Sequence, residues 1–208
     1  MDSLEDKAEK AEEIGDLALA LQLWNELAQR DLDPVFFTRC GRVAQKLKRW
    51  DEAESAFAQA LRLDPSFTLA MEGMGDLWAT RTDKREAESF EVAKDWFLKA
   101  LHRERNARTL TFLGAAYRAL GDNTAAREAF TEAVQRDANN AEALYNLAIT
   151  EEGHELQRSI ELLERAIDID PRYFAAHQEL GKLYQKAGDL PRAEYHFRRG
   201  FEIEPTDC

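Results

Sequence analysis

The residues best equipped for chemistry in this chain are its four histidines, its two cysteines and its many carboxylates. A histidine can move a proton near neutral pH or ligate a metal, but both tasks need partner groups at a defined spacing. His102, His154, His177 and His196 are read as lying in different repeating segments without ligand spacing. His177 takes the place of a large packing residue, so a packed or half-exposed ring is expected there. Cys40 sits inside an apolar stripe and Cys208 ends the sequence, which suggests neither a disulfide framework nor a metal site. There is no phosphate-cradling glycine loop, no nucleophile elbow and no HExxH helix. The acids are dispersed over helix surfaces and give no pair with opposed environments for acid–base work. The expectation is therefore a protein that is not an enzyme, with no catalytic residue, no metal and no cofactor.

The elements that would position any site are set by a period. Ala20 leads to Trp24, Ala53 to Phe57, Ala93 to Phe97, Ala126 to Phe130 and Ala193 to Phe197, with Ser159 and Leu163 filling the gap. The steps between the small residues are 33, 40, 33, 33 and 34. Self-similarity at this interval marks a stacked repeat array, in which each unit buries its apolar side on its neighbours. The recurring aromatics belong to the core on this reading, and Trp50, Trp78 and Trp96 to packing between units.

Each unit reads as two helices. Asp51 and Glu54 look like a capping-box start, followed by Ala53, Phe57, Ala60 and Leu61 on one face. Leu63-Asp64-Pro65 ends that helix, because proline cannot continue the hydrogen-bond ladder. Leu32-Asp33-Pro34, Ile169-Asp170-Pro171 and Ile203-Glu204-Pro205 repeat the ending, and Pro191 sits in a first helical turn. The first helices carry Ala8, Gly41, Gly75, Gly114, Ala148 and Gly181. A helix-interior glycine costs about 1 kcal/mol against alanine, so close approach of the paired helix is expected there. Gly15-Asp16, Gly121-Asp122 and Gly188-Asp189 read as left-handed turns followed by an aspartate cap.

On these residues the chain resembles the tetratricopeptide repeat family. One unit carries Leu110, Leu113-Gly114, Tyr117, Ala126, Phe130 and Ala133, and another carries Leu180-Gly181, Tyr184, Ala193, Phe197 and Pro205. The resemblance covers residues 2–205. It implies an all-α fold, a right-handed α-α superhelix (solenoid) forming one domain over 1–208. Its repeats would span 1–34, 35–66, 67–106, 107–140, 141–173 and 174–208, with first helices lining a concave face. Unit three has a six-residue insertion within 80–89, either a surface extension or lengthened helix, or a charged projection that touches a partner. Unit one has a highly charged first helix. Unit five has Glu151 where the family usually has tyrosine.

The implied groove would hold another protein, through a peptide or helix segment. It selects the basic Arg39, Arg42 and Lys46, the acidic Glu72 and Asp76, then Thr111, Phe112, Ala115, Arg118, Tyr145, Asn146, Ile149, Glu152 and Lys182. Phe112, Tyr145 and Ile149 either anchor the partner or fill the narrow inside of the superhelix; Asn146 could bond a peptide backbone. Some members of the family grip a C-terminal carboxylate with a lysine–asparagine pair, an asparagine and a base from successive units. Thr111, Ala115 and Glu179 occupy positions where that clamp needs other residues, so it is not expected here. Tyr195 and Phe201, with no successor helix, either stay exposed or mediate a homodimer, which gives the alternative of a self-associating or accessory module.

Net charge is −12 with pI near 4.9. That argues against nucleic acid, which needs clustered cations, and against anionic membranes. Residues 1–34 carry ten acids and three bases, residues 35–67 four acids and six bases, and residues 141–173 eight acids and three bases. This uneven spread is either a solvated surface or a polarised groove. The acidic first residues are the wrong start for a signal peptide and no run is apolar enough to span a membrane, so a cytoplasmic protein is the expectation.

Overall fold

The computed structural model describes residues 3–81, 84, 86–151 and 155–203. The sequence expectations at Thr82, Asp83, Arg85, Glu152, His154, Glu204, Pro205 and Cys208 lie outside them. Among the described residues there are twelve α-helices and no strand. They pair as α1 (Leu4–Glu13) with α2 (Leu17–Asp31), α3 (Pro34–Lys46) with α4 (Trp50–Leu63), and α5 (Thr68–Thr80) with α6 (Glu86–Arg103). Then come α7 (Ala107–Ala119) with α8 (Asn123–Arg136), α9 (Ala141–Glu151) with α10 (Leu156–Ile169), and α11 (Phe174–Ala187) with α12 (Leu190–Ile203). The chain divides into two compact units, residues 1–105 and 106–208, so each holds three helical hairpins. Within a unit every helix packs on the next, and first helices also touch, α3 on α5 and α7 on α9.

The small-residue and aromatic series explains the hairpins. A Cβ at Gly41 would stand 2.6 Å from the Phe57 ring, one at Gly75 2.4 Å from Phe97, and one at Gly114 2.6 Å from Phe130. Phe57 also presses on Gly73 of the following hairpin, at 2.4 Å from the Cβ that glycine lacks. A side chain at these positions would drive the ring out, so the propensity cost of glycine is offset by burial of a whole phenyl group, worth about 1.5–3 kcal/mol. Trp24, Phe57, Phe97 and Phe130 are buried; Phe197 is half-buried against Gly181. In the hairpin whose α9 carries Ala148, Ser159 donates to the Ala148 carbonyl at 3.0 Å while Leu163 is buried in the aromatic's place.

The turns follow the glycine–aspartate reading. Gly15, Gly121 and Gly188 have φ near +80°, and Asp16, Asp122 and Asp189 accept from Leu19, Ala125 and Arg192 amides. Lys48, at φ +58°, fills the same role between α3 and α4 without a glycine.

Two local expectations are corrected. The helix of Asp51 and Glu54 starts earlier, at Trp50, with Arg49 as an N-cap that makes no side-chain bond. Both carboxylates instead meet Arg81 from the next hairpin, at 3.5 and 3.0 Å. α2 ends at Asp31 as expected, but Pro34 also opens α3 at its first turn, with Asp33 capping the Val35 amide, so it is a start signal as well. The insertion in 80–89 is partly absorbed by α6, which runs 18 residues against 14 in α4. At its head the Arg81 side chain is 1% exposed and lies 4.6 Å over Trp78.

Candidate functional site

In the first unit the expected basic patch is already paired. Arg39 on α3 reaches Glu9 at 3.7 Å and lies 5.5 Å over the Trp24 ring. Lys46, two helical turns further on the same face, meets Glu12 at 3.2 Å, and the same carboxylate accepts from Trp24 Nε1 at 2.8 Å. The acid-rich first helix therefore takes up two cations of the basic second hairpin. Arg42 is half-buried. Glu72 is buried at 5% exposure, contrary to its expected place on an open groove, and Asp76 accepts from Gln45 at 2.8 Å. Cys40 is buried, and loss of solvent pushes its thiol up to about 12, which leaves it protonated and unreactive.

The second unit is arranged differently. Thr111 is buried, donates to the Ala107 carbonyl at 2.9 Å and accepts from Asn140 at 3.2 Å, so its hydroxyl holds α7 to the start of α9. Asn146 is also buried, and its amide donates to the Glu142 carbonyl at 2.9 Å rather than facing outward. Ala115 packs against the core of the unit. Phe112, Arg118, Tyr145 and Ile149 are half-buried; Arg108 stands 5.4 Å over the Phe112 ring, and Lys182 pairs with Glu179 at 2.7 Å.

Tyr145 packs against Tyr173, with ring centroids 5.2 Å apart and planes tilted by 44°. Burial raises the hydroxyl pKa of both, to about 12 for Tyr173. Glu179 pushes Tyr145 the same way and Glu142 pushes Tyr173, while the charge of Arg118 opposes the shift in both. Arg118 thus lies within electrostatic reach of both rings. One terminal nitrogen of its guanidinium is sealed from solvent and has no acceptor.

Sequence reasoning missed Tyr173. It caps α11, and the turn before it is fixed by three contacts. The Tyr173 amide donates to the Asp170 carbonyl at 3.0 Å, the Arg172 amide to the Asp170 side chain at 3.0 Å, and His177 Nε2 to the Pro171 carbonyl at 3.2 Å. Sequence reasoning also placed the histidines apart, yet His177 and His196 face each other across the last hairpin, Nδ1 to Nδ1 at 3.1 Å. Since the Pro171 oxygen can only accept, His177 carries its proton on Nε2. The two Nδ1 atoms share one hydrogen between them. His196 stacks 5.6 Å from Tyr184, whose hydroxyl donates to Glu164 and accepts from Arg192 at 3.2 Å. Burial first, and then His177, lower the His196 pKa to about 4, so the His196 ring is neutral at pH 7. Among the described residues no three potential ligands come together for a metal.

Two clefts lie away from these faces. One of about 670 Å³ is lined by α8 and by Glu151 and Arg158. Two ion pairs lie along it, Arg136 with Glu132 at 2.9 Å and Arg158 with Glu151 at 2.7 Å. The other, of about 410 Å³, runs past Cys40 and Asn25 in the first unit. On α12, Tyr195 is 56% exposed and Phe201 52%. No helix among the described residues is long and apolar enough to cross a membrane.

Comparison with known proteins fits this architecture. Residues 36–67, 107–150 and 162–195 match models described as tetratricopeptide repeat. Protein bimA of Emericella nidulans is 26% identical over 197 residues, covering 91% of this chain but 23% of that protein, so the chain spans less than a quarter of this relative. The crystal structure of the APC/C hetero-tetramer Cut9-Hcn1 is similar with a TM-score of 0.79 at 20% identity, over 98% of this chain and 39% of that one. YrrB, described as a TPR protein with an unusual peptide-binding site, is similar with a TM-score of 0.63 at 20% identity, over 88% of this chain and 92% of that one.

Proposed function

The chain belongs to the tetratricopeptide repeat family, and from that premise we propose that it is a non-catalytic scaffold holding a peptide or helix segment of another protein. The docking face is the one in the second unit bearing Phe112, Arg118, Tyr145 and Ile149. The observation that carries this reading is Tyr145, an aromatic half-buried beside Tyr173, with ring centroids 5.2 Å apart. Aromatic side chains that are already ordered lose little entropy on binding and exclude water well, which is why they dominate interface energetics. YrrB, of similar fold, is described as binding a peptide, which supports the same use of repeats here. The first-unit cations take a lesser part than the sequence suggested, since Arg39 and Lys46 hold α1.

Selection of random displayed peptides on the full chain tests the reading. Tyr145→Ala should weaken a selected peptide by about 1–3 kcal/mol while the helical circular dichroism signal stays intact. Peptides whose affinity ignores Tyr145 would remove this placement, and failure to enrich any peptide would remove the function.

A second reading rests on the exposure of Tyr195 and Phe201, which suits self-association through α12. In sedimentation, a dimer lost on Phe201→Glu supports it; two monomers at micromolar concentration end it.

A further inference from the structure

The most weakly anchored helix of the second unit is α12. Of its fourteen residues only Ala193, His196 and Gly200 are buried, whereas α10 buries Ile160, Leu162 and Leu163 besides Ser159 and Ala166. An alanine and a glycine bring little apolar surface, so most of what α12 gains from burial comes from the half-buried Phe197 and from His196. α12 also leans on one neighbour. Among the described helices α10 packs on both α9 and α11, but α12 packs substantially on α11 alone. In a stack of repeats stability is a sum of such interfaces, and an element with one interface is the first to open. This interface is tight and has a polar centre. The Phe197 ring stands 2.5 Å from the Cβ that Gly181 lacks, and Gln178 Nε2 stands 2.8 Å from the one that Gly200 lacks. Beside these contacts His196 meets His177, Nδ1 to Nδ1 at 3.1 Å, and the two residues are 6% and 3% exposed.

The histidine contact has room for one hydrogen. His177 donates from Nε2 to the Pro171 carbonyl at 3.2 Å, which leaves a single hydrogen between the two Nδ1 atoms. A proton added to one ring buries a charge. A proton added to each sets N–H against N–H and breaks the bond. The groups around His196 do not remove the conflict. From α11, Tyr184 stacks on the ring at 5.6 Å; from α12, Tyr195 meets it edge-on at 5.0 Å and Arg192 repels a charge on it. From α10, Glu164 favours the charge, but it already accepts from the Tyr184 hydroxyl. We propose that α12 is an acid-released clasp: protonation of the His177–His196 pair detaches this helix from α11 and uncovers the α11 face of His177, Gly181 and Tyr184, while α7–α11 stay folded. The direction follows from the proton balance. A released His196 titrates near the ordinary 6.5 and a docked one near 4, so release takes up a proton once pH falls below 6.5. Lowering the pH from 7 to 5 therefore multiplies the released population on the order of twentyfold.

Hydrogen exchange followed by mass spectrometry on the full chain tests this, with labelling times at pH 7 and pH 5 scaled for the intrinsic exchange rate. Opening of residues 190–203 is expected to rise at least tenfold between the two conditions, on the order set by the proton balance. Opening of residues 107–119, 123–136 and 156–169 should rise less than about threefold. In His196→Gln, whose amide can still donate to His177, the rise in 190–203 should disappear. A second measurement needs no variant. Ring nitrogen signals of the ¹⁵N-labelled wild type are followed by NMR against pH. The His196 ring should stay neutral while α12 is docked and charge as the α12 amide signals leave their docked positions. If His196→Gln leaves α12 open at both pH values, these wild-type ring signals decide. An α12 that stays protected while the His196 ring charges near its ordinary pKa overturns the proposal. So does a wild-type rise that survives His196→Gln undiminished. A rise shared equally by all helices of the second unit overturns it as well, because that is unfolding of the unit rather than release of its last helix.

Discussion

The two units are built on one scaffold and dispose of their charge in opposite ways. In the first, an acidic helix lies beside a basic hairpin, and Glu9 and Glu12 take up Arg39 and Lys46. In the second, one terminal nitrogen of Arg118 is buried without an acceptor among the described residues, and the half-buried Tyr145 and Tyr173 rings pack together. The difference teaches that a count of basic residues does not locate a binding face. A cation already matched holds its own fold together, and a half-buried aromatic face is the stronger candidate for docking.

The shared scaffold should respond alike in both units. Phe57→Ala and Phe130→Ala each empty a site pressed against glycine backbone. Each is expected to cost about 3–5 kcal/mol in urea unfolding. A loss below 1 kcal/mol in either would separate the two scaffolds.

Acid should act on the second unit through His196. Its folded pKa lies near 4, below the ordinary 6.5. As pH falls through that window the unfolded chain takes up a proton that the folded chain refuses. The contribution is therefore complete above pH 6.5 and is lost as pH drops toward 4. The groups facing the ring are His177, Tyr184, Tyr195, Glu164 and Arg192; Glu164 favours the proton, while His177 and Arg192 disfavour it. Between pH 7 and 4 the wild type should lose on the order of 1–3 kcal/mol more than His196→Gln. Equal losses would show that the ring is solvated.

Smaller effects discriminate the faces directly. Glu12→Gln strips Lys46 of its charge partner and weakens the Trp24 bond, and should cost about 1 kcal/mol. Arg118→Leu removes an unmatched donor and should leave stability unchanged or slightly raised. A clear loss of stability on Arg118→Leu would mean that the arginine is structural.

Much of the scaffold was legible because it follows from local spacing. Gly114 and Phe130 are sixteen residues apart, as are Gly41 and Phe57, and that recurrence announced a ring pressed on a glycine. The Gly121-Asp122 turn announced itself by backbone chemistry. The candidate site was less legible, because its charge state depends on helices that meet only after folding. Nothing near Arg39 in sequence shows that Glu9 will neutralise it. The cap pattern of Asp51 and Glu54 had correct local chemistry, yet Arg81, 30 and 27 residues away, claimed both. The histidine pair did leave a signal. His177 stands one turn before Gly181 and His196 next to Phe197, so the close approach of that hairpin brings the rings together. Tyr173 was hidden by the proline turn, which was read as punctuation rather than as a platform.

The most direct measurement compares the two faces on one ligand. A displayed peptide selected on the full chain is titrated by fluorescence anisotropy against wild type, Tyr145→Ala and the double variant Arg39→Gln/Lys46→Gln. The expected result is at least a tenfold loss for Tyr145→Ala and less than a threefold loss for the double variant. The reverse order would place the docking face in the first unit and contradict the division between matched charge and aromatic face.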